Sequence, residues 1–488
     1  MSRLSSATLA QLPADVTLPS YDRAAVTCGV VHIGIGAFHR AHQAVVFDDA
    51  LNAGDLRWGI IAASLRSPAV RDQMQPQDGL YTMLVRDGAA EPARIIGAVQ
   101  QVIVAPEEPT ALLAALASPD THIVTLTITE KGYKLDPSTG ALIADDPQLA
   151  ADLASLESPQ TAPGYLVAAL ALRCAAGLAP FTAISCDNLP HNGVRLRNAV
   201  LELARRHDAD LADWIATHGA FPETMVDRIV PATTPEDIAA LTQRLGLEDQ
   251  AMVKTEPFIQ WVIEDKFCGP RPDFSAGVQL TQAVAPWEEA KLRLLNGAHS
   301  GIAYLGGLAA IDHVHEVLAL PEARAFVEAL WDEAETTLTP PPELDVAAYR
   351  RDLMARFDNP TLRHRTRQIA MDGSQKLPQR LLAPIAARLA AGQGIDALAL
   401  AVAAWLRWQA GQDDKGDAHQ VDDPLAAPIA ATLADARTSQ DRVAAILAFD
   451  AVIPPTLATD DRFRTALTHW LTLLESQGAL GALAAFRH

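Results

Sequence analysis

Two groups of residues in this chain have types and spacings that suggest chemistry. The first is a glycine turn. Gly34-Ile35-Gly36 closes the β-branched run Gly29–Gly34 (GVVHIG) and precedes a helical pattern that starts by Arg40 and runs to Ala53. In that position the first glycine permits a tight turn, and the second lets the backbone approach a pyrophosphate at the helix N-terminus. The third glycine of G-x-G-x-x-G falls on residue 39, which here is His39. A strand-to-helix turn that needs glycine only for its backbone angles is the alternative. The acid that would hold a ribose hydroxyl about 20 residues on is missing, because the second strand pattern ends in Ala62-Ala63-Ser64-Leu65-Arg66-Ser67-Pro68. Arg66 and Arg71 are then either cations for the 2′-phosphate of NADP or solvated surface charges. The second group is Glu288, Lys291, Asn296 and His299. With a helix starting at Pro286 and advancing ~100° per residue, Glu288 lies ~60°, His299 ~80° and Asn296 ~140° from Lys291 around the axis. Lys, His and Glu then share a face, with Asn296 at its edge. This is either the polar side of an amphipathic helix or a site, and Leu292, Leu294 and Leu295 argue against simple exposure. Metal chemistry is not expected. Cys186 with His191 and His313 with His315 are suggestive pairs, but neither belongs to a three- or four-ligand set.

These groups need a frame to position them. Short β-branched runs recur at Trp58–Ala63, His122–Thr129 and Phe181–Cys186, with Ala/Leu-rich helical segments such as Thr110–Ala117 and Gly164–Ala176 between them. Alternation of this kind implies β-α-β units and a parallel sheet. From about Pro286 strand-like runs almost vanish, and helical patterns dominate apart from the loops Thr339–Leu344 and Gly411–Pro424. The expected organisation is an α/β domain over residues 1–285 and a mostly α-helical domain over residues 286–488. The 488 residues carry 39 Lys+Arg against 59 Asp+Glu, a formal charge of −20. Such a balance argues against nucleic acid or an anionic membrane as a partner. The N-terminus lacks a signal-peptide core, and no run of ~18 apolar residues occurs. Four scattered cysteines read as reduced thiols, so a cytoplasmic protein is expected.

The segment GIGAFHRAHQA resembles the signature of the long-chain polyol dehydrogenases, the family of mannitol 2-dehydrogenase and fructuronate reductase (D-mannonate oxidoreductase). TLTITEKGY (125–133), SCDNLPHNG (185–193), MVDRIVPATTPE (225–236), EPFIQWVIEDKF (256–267), KLRLLNGAHS (291–300) and DGSQKLPQR (372–380) resemble the same family in the same order. The resemblance implies a zinc-independent, nicotinamide-dependent alcohol dehydrogenase with a Rossmann-type N-terminal domain and a helical C-terminal domain. It also implies a monomer, with a small-molecule sugar acid or polyol as its substrate. NAD is the expected cofactor, with NADP open, held along Gly34, Ile35, Gly36, Ala37, Phe38, His39 and Arg40, with Arg66 nearby. Oxidising a secondary alcohol needs a group for the hydroxyl proton and donors for the developing oxyanion. By resemblance these are Lys291 as acid/base, flanked by Asn188 and Asn296. A lysine suits the work if desolvation lowers its pKa, and asparagine amides donate without adding charge. The resemblance further makes His299 and Asp227 substrate-site residues, Glu288 a gate for the departing proton and Lys376 a cation at the substrate end. Glu130 and Lys131 are expected near the pocket. Read without the resemblance, Asp227-Arg228 is a local ion pair and Lys376 a solvated charge.

Two substrate classes are open. Asn359–Arg380 and RIVPATTPE look like the fructuronate reductase branch, in which Arg363, Arg365, Arg367, Lys376 and Arg380 supply cations for a carboxylate. That branch carries Arg within EPFRQW and Asn after it, where this chain has Ile259 and Lys266, as in mannitol dehydrogenases. The polyol branch has an arginine where Gln368 stands here. The sugar-acid pair D-fructuronate/D-mannonate is preferred, with D-fructose/D-mannitol as the alternative. A nucleotide-binding sensor without turnover is a further class, opposed by the intact Lys291, Asn188 and Asn296.

Overall fold

A computed structural model describes residues 2–88, 91–136, 139–274 and 277–486. The chain divides into two compact units, Met1–Val284 and Ala285–His488. The first is built on strands β1 (Val30–Ile33), β2 (Ile60–Ser64), β3 (Tyr81–Val85), β4 (Ala93–Ile96), β5 (Val99–Val104), β6 (Ile123–Leu126), β7 (Thr182–Ser185), β8 (Thr224–Asp227), β9 (Val253–Thr255), β10 (Gln260–Glu264) and β11 (Val278–Thr281). Five of them form a parallel sheet in the order β5-β2-β1-β6-β7. The chain winds outward from β1 in one direction and then returns to wind outward in the other. The switch point therefore lies between β1 and β6, where doubly wound sheets bind ligands at the carboxyl ends of their strands. Two smaller mixed sheets, β11-β10-β8 and β4-β3-β9, complete the unit.

Side-chain alternation along the strands explains both faces of the sheet. Val31, Ile33, Val124 and Leu126 join Leu112, Leu116, Leu166, Leu170, Leu196 and Val200 from the helices Pro109–Ala117, Ala162–Ala175 and Asn192–His207. Val30, Ile60, Ala62, Ile123 and Ile184 instead meet Ala44, Val45, Phe47 and Leu51 of the helix Gln43–Asn52. A sheet covered on both faces needs near-continuous apolar strands, which is how these runs read. The first helical pattern differs from its expected form. Helix begins at Ala37 rather than Arg40, and His42 (φ −127°, ψ −90°) splits it into Ala37–Ala41 and Gln43–Asn52. The strand expected over His122–Thr129 ends at Leu126. Beyond it Thr129 has φ 64°, outside strand geometry.

The second unit is helical. At its centre every residue of Gly297–Leu308 is buried, packed against the nearly as buried Asp396–Trp408. Glycine is needed in that central helix for close approach: a Cβ on Gly307 would sit 2.7 Å from the Trp408 ring, and one on Gly306 2.4 Å from Val317. Among the described residues no helix is long and apolar enough to cross a membrane.

The turn after β1 yields a stability prediction. Gly34 has φ +103°, and a Cβ there would lie 2.1 Å from the Thr127 carbonyl oxygen. Gly34→Ala should cost more than about 2 kcal/mol in urea unfolding, from backbone strain plus the displaced β6 loop. An unchanged midpoint would contradict this account of the turn.

Candidate active site

In the first unit the site residues sit on loops that leave the carboxyl ends of β1, β6, β7 and β8. The Gly34 and Ile35 amides donate to the Ala63 carbonyl at 2.8 and 3.2 Å. The Thr127 hydroxyl donates to the Gly34 carbonyl at 2.8 Å and meets a ring nitrogen of His32 at 3.0 Å. The other His32 nitrogen lies 2.8 Å from the Thr125 hydroxyl. Together these bonds fix the glycine turn to β2 on one side and β6 on the other. At Gly36 a Cβ would meet only the Gly34 carbonyl, at 3.8 Å. The backbone there is open to a close-lying group, as a dinucleotide pyrophosphate requires.

His39 occupies the third glycine position for a visible reason. Its ring stacks on His32 with centroids 3.4 Å apart and planes 8° from parallel. The imidazole fills the space between helix and strand that a glycine would leave closed. Both rings are fully buried, and neither His39 nitrogen finds a well-formed hydrogen bond. Burial drives both pKa values down, His32 to about 3, and His32, Arg40 and His42 add to the penalty on a charged His39. Arg40, expected at the cofactor, turns inward instead. Its guanidinium donates to the carbonyls of Gly36 and Ala251, while the Tyr81 hydroxyl donates to its own carbonyl at 2.6 Å. Ile35 is buried, and Ala37 and Phe38 are half-buried, with Phe38 stacked on His42. Arg66 is exposed at the tip of β2 and forms no ion pair among the described residues, whereas Arg71 pairs with Asp72 and Glu107.

Asn188 follows β7 and is exposed. Its neighbour Asp187 anchors the β6 loop: the carboxylate accepts from the Thr129 amide at 2.9 Å, the Ile128 amide at 3.1 Å and the Tyr133 hydroxyl at 2.6 Å. Burial holds the Asp187 carboxyl above its ordinary range in spite of these donors. Asn192 ties the same loop to β8, donating to the carbonyls of Asp187 and Thr224. Glu130 and Lys131 are exposed on the turn Glu130–Tyr133. Asp227 ends β8 and is buried. Arg228 directs its guanidinium to the carbonyls of Ala41 and Glu256, and burial lowers its pKa to about 10.

In the second unit the helix carrying Lys291 is not uniform. An α-helix over Ala285–Ala290 gives way to a π-helical turn over Lys291–Asn296, and α-helix resumes at Gly297. The angles expected from a continuous α-helix therefore need correction. A turn bonded i→i+5 advances roughly 80° per residue, which places Asn296 about 40° and His299 about 20° from Lys291. The widened turn moves Asn296 from the edge of the face onto it. Lys291 is buried, while Glu288 and Asn296 are half-buried.

His299 is buried against Phe357 (4.7 Å between ring centroids) and His364 (5.0 Å, edge-on). Burial first, then the charges of His364, Arg356 and Arg380, hold it neutral well below its usual pKa. A neutral imidazole both donates to and accepts from a hydroxyl. Sequence reasoning chose Arg363 from this segment, but Arg363 is exposed at φ 46° and it is His364 that reaches His299. Lys376 is half-buried, donates to the Met371 carbonyl and lies 3.7 Å from Asp372. Burial and the nearby Arg380 lower its pKa. Arg367 stands 3.5 Å from Asp413. Arg356, His364, Asp187 and Ser300 were not singled out from the sequence. Asp187 was the most accessible of them, being part of the CDN motif. Among the described residues no group of three or more His, Cys, Asp or Glu side chains is arranged to hold a metal ion.

Both parts of the chain are similar to known proteins. Residues 28–276 match the family model of the mannitol dehydrogenase Rossmann domain, and residues 283–474 match that of the mannitol dehydrogenase C-terminal domain. The chain is 42% identical over 493 residues to mannitol 2-dehydrogenase of Pyrenophora tritici-repentis, covering 99% of this chain and 86% of that one. It is also 42% identical over 477 residues to D-mannonate oxidoreductase of Escherichia coli, covering 96% and 98%. The solved structure of Pseudomonas fluorescens mannitol 2-dehydrogenase in ternary complex with NAD and D-mannitol shares 38% identity over 99% of both chains, with a TM-score of 0.80.

Two outcomes are expected from the β1 turn. Gly36→Ala should leave the urea midpoint near wild type yet weaken dinucleotide binding about ten-fold in a fluorescence titration, since the new methyl meets the ligand rather than the protein. Equal loss of stability and binding would argue otherwise. The His32–His39 stack sets a pH dependence. Both rings are neutral when folded but titrate near their ordinary value when unfolded, so the unfolded state binds more protons under acid. Their contribution is fully retained above about pH 6.5 and falls by about 1.4 kcal/mol per pH unit for each ring as pH drops below it. Urea unfolding at pH 7.5 and 5.5 should show this loss, and His39→Gln should reduce it. A profile unchanged in His39→Gln would exclude His39 as a source.

Proposed function

The chain belongs to the mannitol dehydrogenase family, and we propose that it is an NAD-dependent oxidoreductase interconverting D-mannonate and D-fructuronate. D-Mannitol and D-fructose are the second reading. The family is one of oxidoreductases acting on sugar alcohols and sugar acids, and its relatives named above divide between these two substrates. The observation that carries the sugar acid is the charge around His299. The charged groups acting on it are Arg356 and Arg380, the latter already bonded to the Asn296 carbonyl and Ser300, and Lys376 stands beside Arg380 with Asp372 3.7 Å away. The cations Arg356 and Lys376 favour a substrate of the opposite sign, and a ketouronate carries a carboxylate where a ketose has a neutral hydroxymethyl group.

The residues present fit a dinucleotide. Gly34 shapes the turn, the backbone at Gly36 is open to a close-lying group, and Ile35, Ala37 and Phe38 are the neighbouring residues that would hold the dinucleotide with them. The absence of an acid at the tip of β2 leaves the unpaired Arg66 available to a 2′-phosphate, so NADPH also has to be assayed. When bound, the nicotinamide exchanges a hydride with the substrate carbon. Lys291 exchanges the proton of the adjacent oxygen, protonating the carbonyl oxygen in reduction and removing the hydroxyl proton in oxidation. Asn188 and Asn296 donate their amide hydrogens to the oxyanion while its charge develops. Neutral His299 holds neighbouring hydroxyls, with Asp227 as a further polar wall. Glu288, one helical turn before Lys291, passes the proton to solvent. Lys376 balances the carboxylate. Arg363, exposed, serves at most as a distant cation on approach.

Initial rates with D-fructuronate and D-fructose, each with NADH and NADPH, test the substrate. The ketouronate should be preferred by at least about ten-fold in kcat/KM, and Lys376→Met should erase most of that margin by raising KM for the ketouronate alone, as expected for a charge-assisted contact. Preference for fructose would give the mannitol reading instead. Lys291→Ala should lower turnover by about 10³-fold while NADH affinity stays within a few-fold, as expected for loss of an acid/base. Wild-type turnover in that variant would remove Lys291 from the role.

A further inference from the structure

The second unit contains a second π-helical turn, Pro378–Leu382, and it packs against the one that carries Lys291 and Asn296. Their backbones meet closely enough that a Cβ on Gly297 would lie 3.2 Å from the Arg380 carbonyl oxygen. A helix that switches from i→i+4 to i→i+5 bonding and back leaves carbonyls out of line with their usual N–H partners. The Leu294 carbonyl accepts from the Gly297 amide, and each carbonyl oxygen has a second lone pair for a further donor. Two side chains supply further donors here. The indole of fully buried Trp331 donates to the Leu294 carbonyl at 2.9 Å. The Arg380 guanidinium donates to the Asn296 carbonyl at 3.4 Å and to the Ser300 hydroxyl at 3.2 Å, and that hydroxyl itself donates to the Asn296 carbonyl at 3.0 Å.

Arg380 thus grips the residue at which the widened turn ends. We propose that Arg380 is a positioning residue of the reaction: through the Asn296 carbonyl and Ser300 it locks the π turn, and so keeps Lys291, Asn296 and His299 on one face. This rests on the reading of Lys291 and Asn296 as acid/base and oxyanion donor. It differs from the role the sequence suggested for Arg380, a cation for a substrate carboxylate. A turn relaxed to regular α-helix would return Asn296 from about 40° to ~140° from Lys291. The effect of losing Arg380 should therefore fall on the chemical step and should not depend on whether the substrate is charged. A carboxylate ligand would affect KM, and only for the anion.

The test uses the full chain as wild type, Arg380→Met, Arg380→Lys, Ser300→Ala and Lys291→Ala, each assayed with D-fructuronate and D-fructose. Arg380→Met should lower kcat about ten-fold or more with both substrates, leave KM within about three-fold, and recover part of its rate with added guanidinium ion. Ser300→Ala should move kcat in the same direction by a smaller factor. Arg380→Lys, which keeps a donor within reach of the carbonyl, should fall between Arg380→Met and wild type. Unchanged kcat in Arg380→Met, or a defect confined to KM for the ketouronate, would overturn the proposal. If Arg380→Met fails to fold, Ser300→Ala and Arg380→Lys carry the test, and wild-type kcat in both would overturn it equally. Lys291→Ala separates the two levels. Full turnover there refutes the acid/base reading itself, whereas a dead Lys291→Ala beside an unaffected Arg380→Met refutes only the positioning role.

Discussion

A buried helix whose bonding pattern widens over Lys291–Asn296 is the feature of the second unit on which the account depends, and side chains from neighbouring elements add hydrogen bonds to its backbone. The donors come from the helix Pro321–Glu335 through Trp331 and from the turn Pro378–Leu382 through Arg380. The same widening decides which side chains share a face. Regular helix would set Asn296 far around the axis from Lys291, while the π turn brings it close. The central helix that continues from it is buried along its whole length, so the geometry is held by packing on every side. Packing of this density resists small displacements, so the π turn is held in the one geometry observed.

In the first unit the equivalent constraint is a chain of hydrogen bonds across strand ends. Thr127 holds the Gly34 carbonyl, Asp187 holds the amides of Ile128 and Thr129, and Asn192 holds Asp187 to β8. The loops that carry the glycine turn, Asn188 and Asp227 are thereby tied to one another, although each leaves a different strand. Asp187 is a half-buried carboxylate with three donors, which orders a loop at the cost of desolvation. His32 and His39 follow a similar logic: stacking fills space at the strand–helix contact, and burial of two neutral rings is the accompanying cost.

The α/β character of the first unit, the helical character of the second and the dinucleotide turn were legible because they depend on local pattern: β-branched runs, Ala/Leu-rich periodicity and glycine placement. The resemblance carried the site residues, since nothing in spacing alone distinguishes Lys291 from a surface lysine. Four features were not legible. The break at His42 and the early end of β6 depend on tertiary partners, among them His32 stacking on His39 and Asp187 capping Thr129. The π turn leaves no mark on periodicity, because KLRLLN fits an α-helix equally well. The role of the cations in Asn359–Arg380 could not be read from charge count. Arg380 reaches a backbone carbonyl, Arg367 faces Asp413, Arg363 is exposed, and the residue against His299 is His364.

Lys291 as the acid/base is the claim on which the chemistry turns. Its most direct test is rescue of Lys291→Ala by small primary amines, followed through NADH oxidation with the preferred keto substrate. Turnover should rise with amine concentration, and across a series of amines of similar size the rescued rate should follow amine basicity, because an exogenous amine then does the proton transfer. Rates that ignore amine concentration, in a variant that still binds NADH, would contradict the assignment of Lys291.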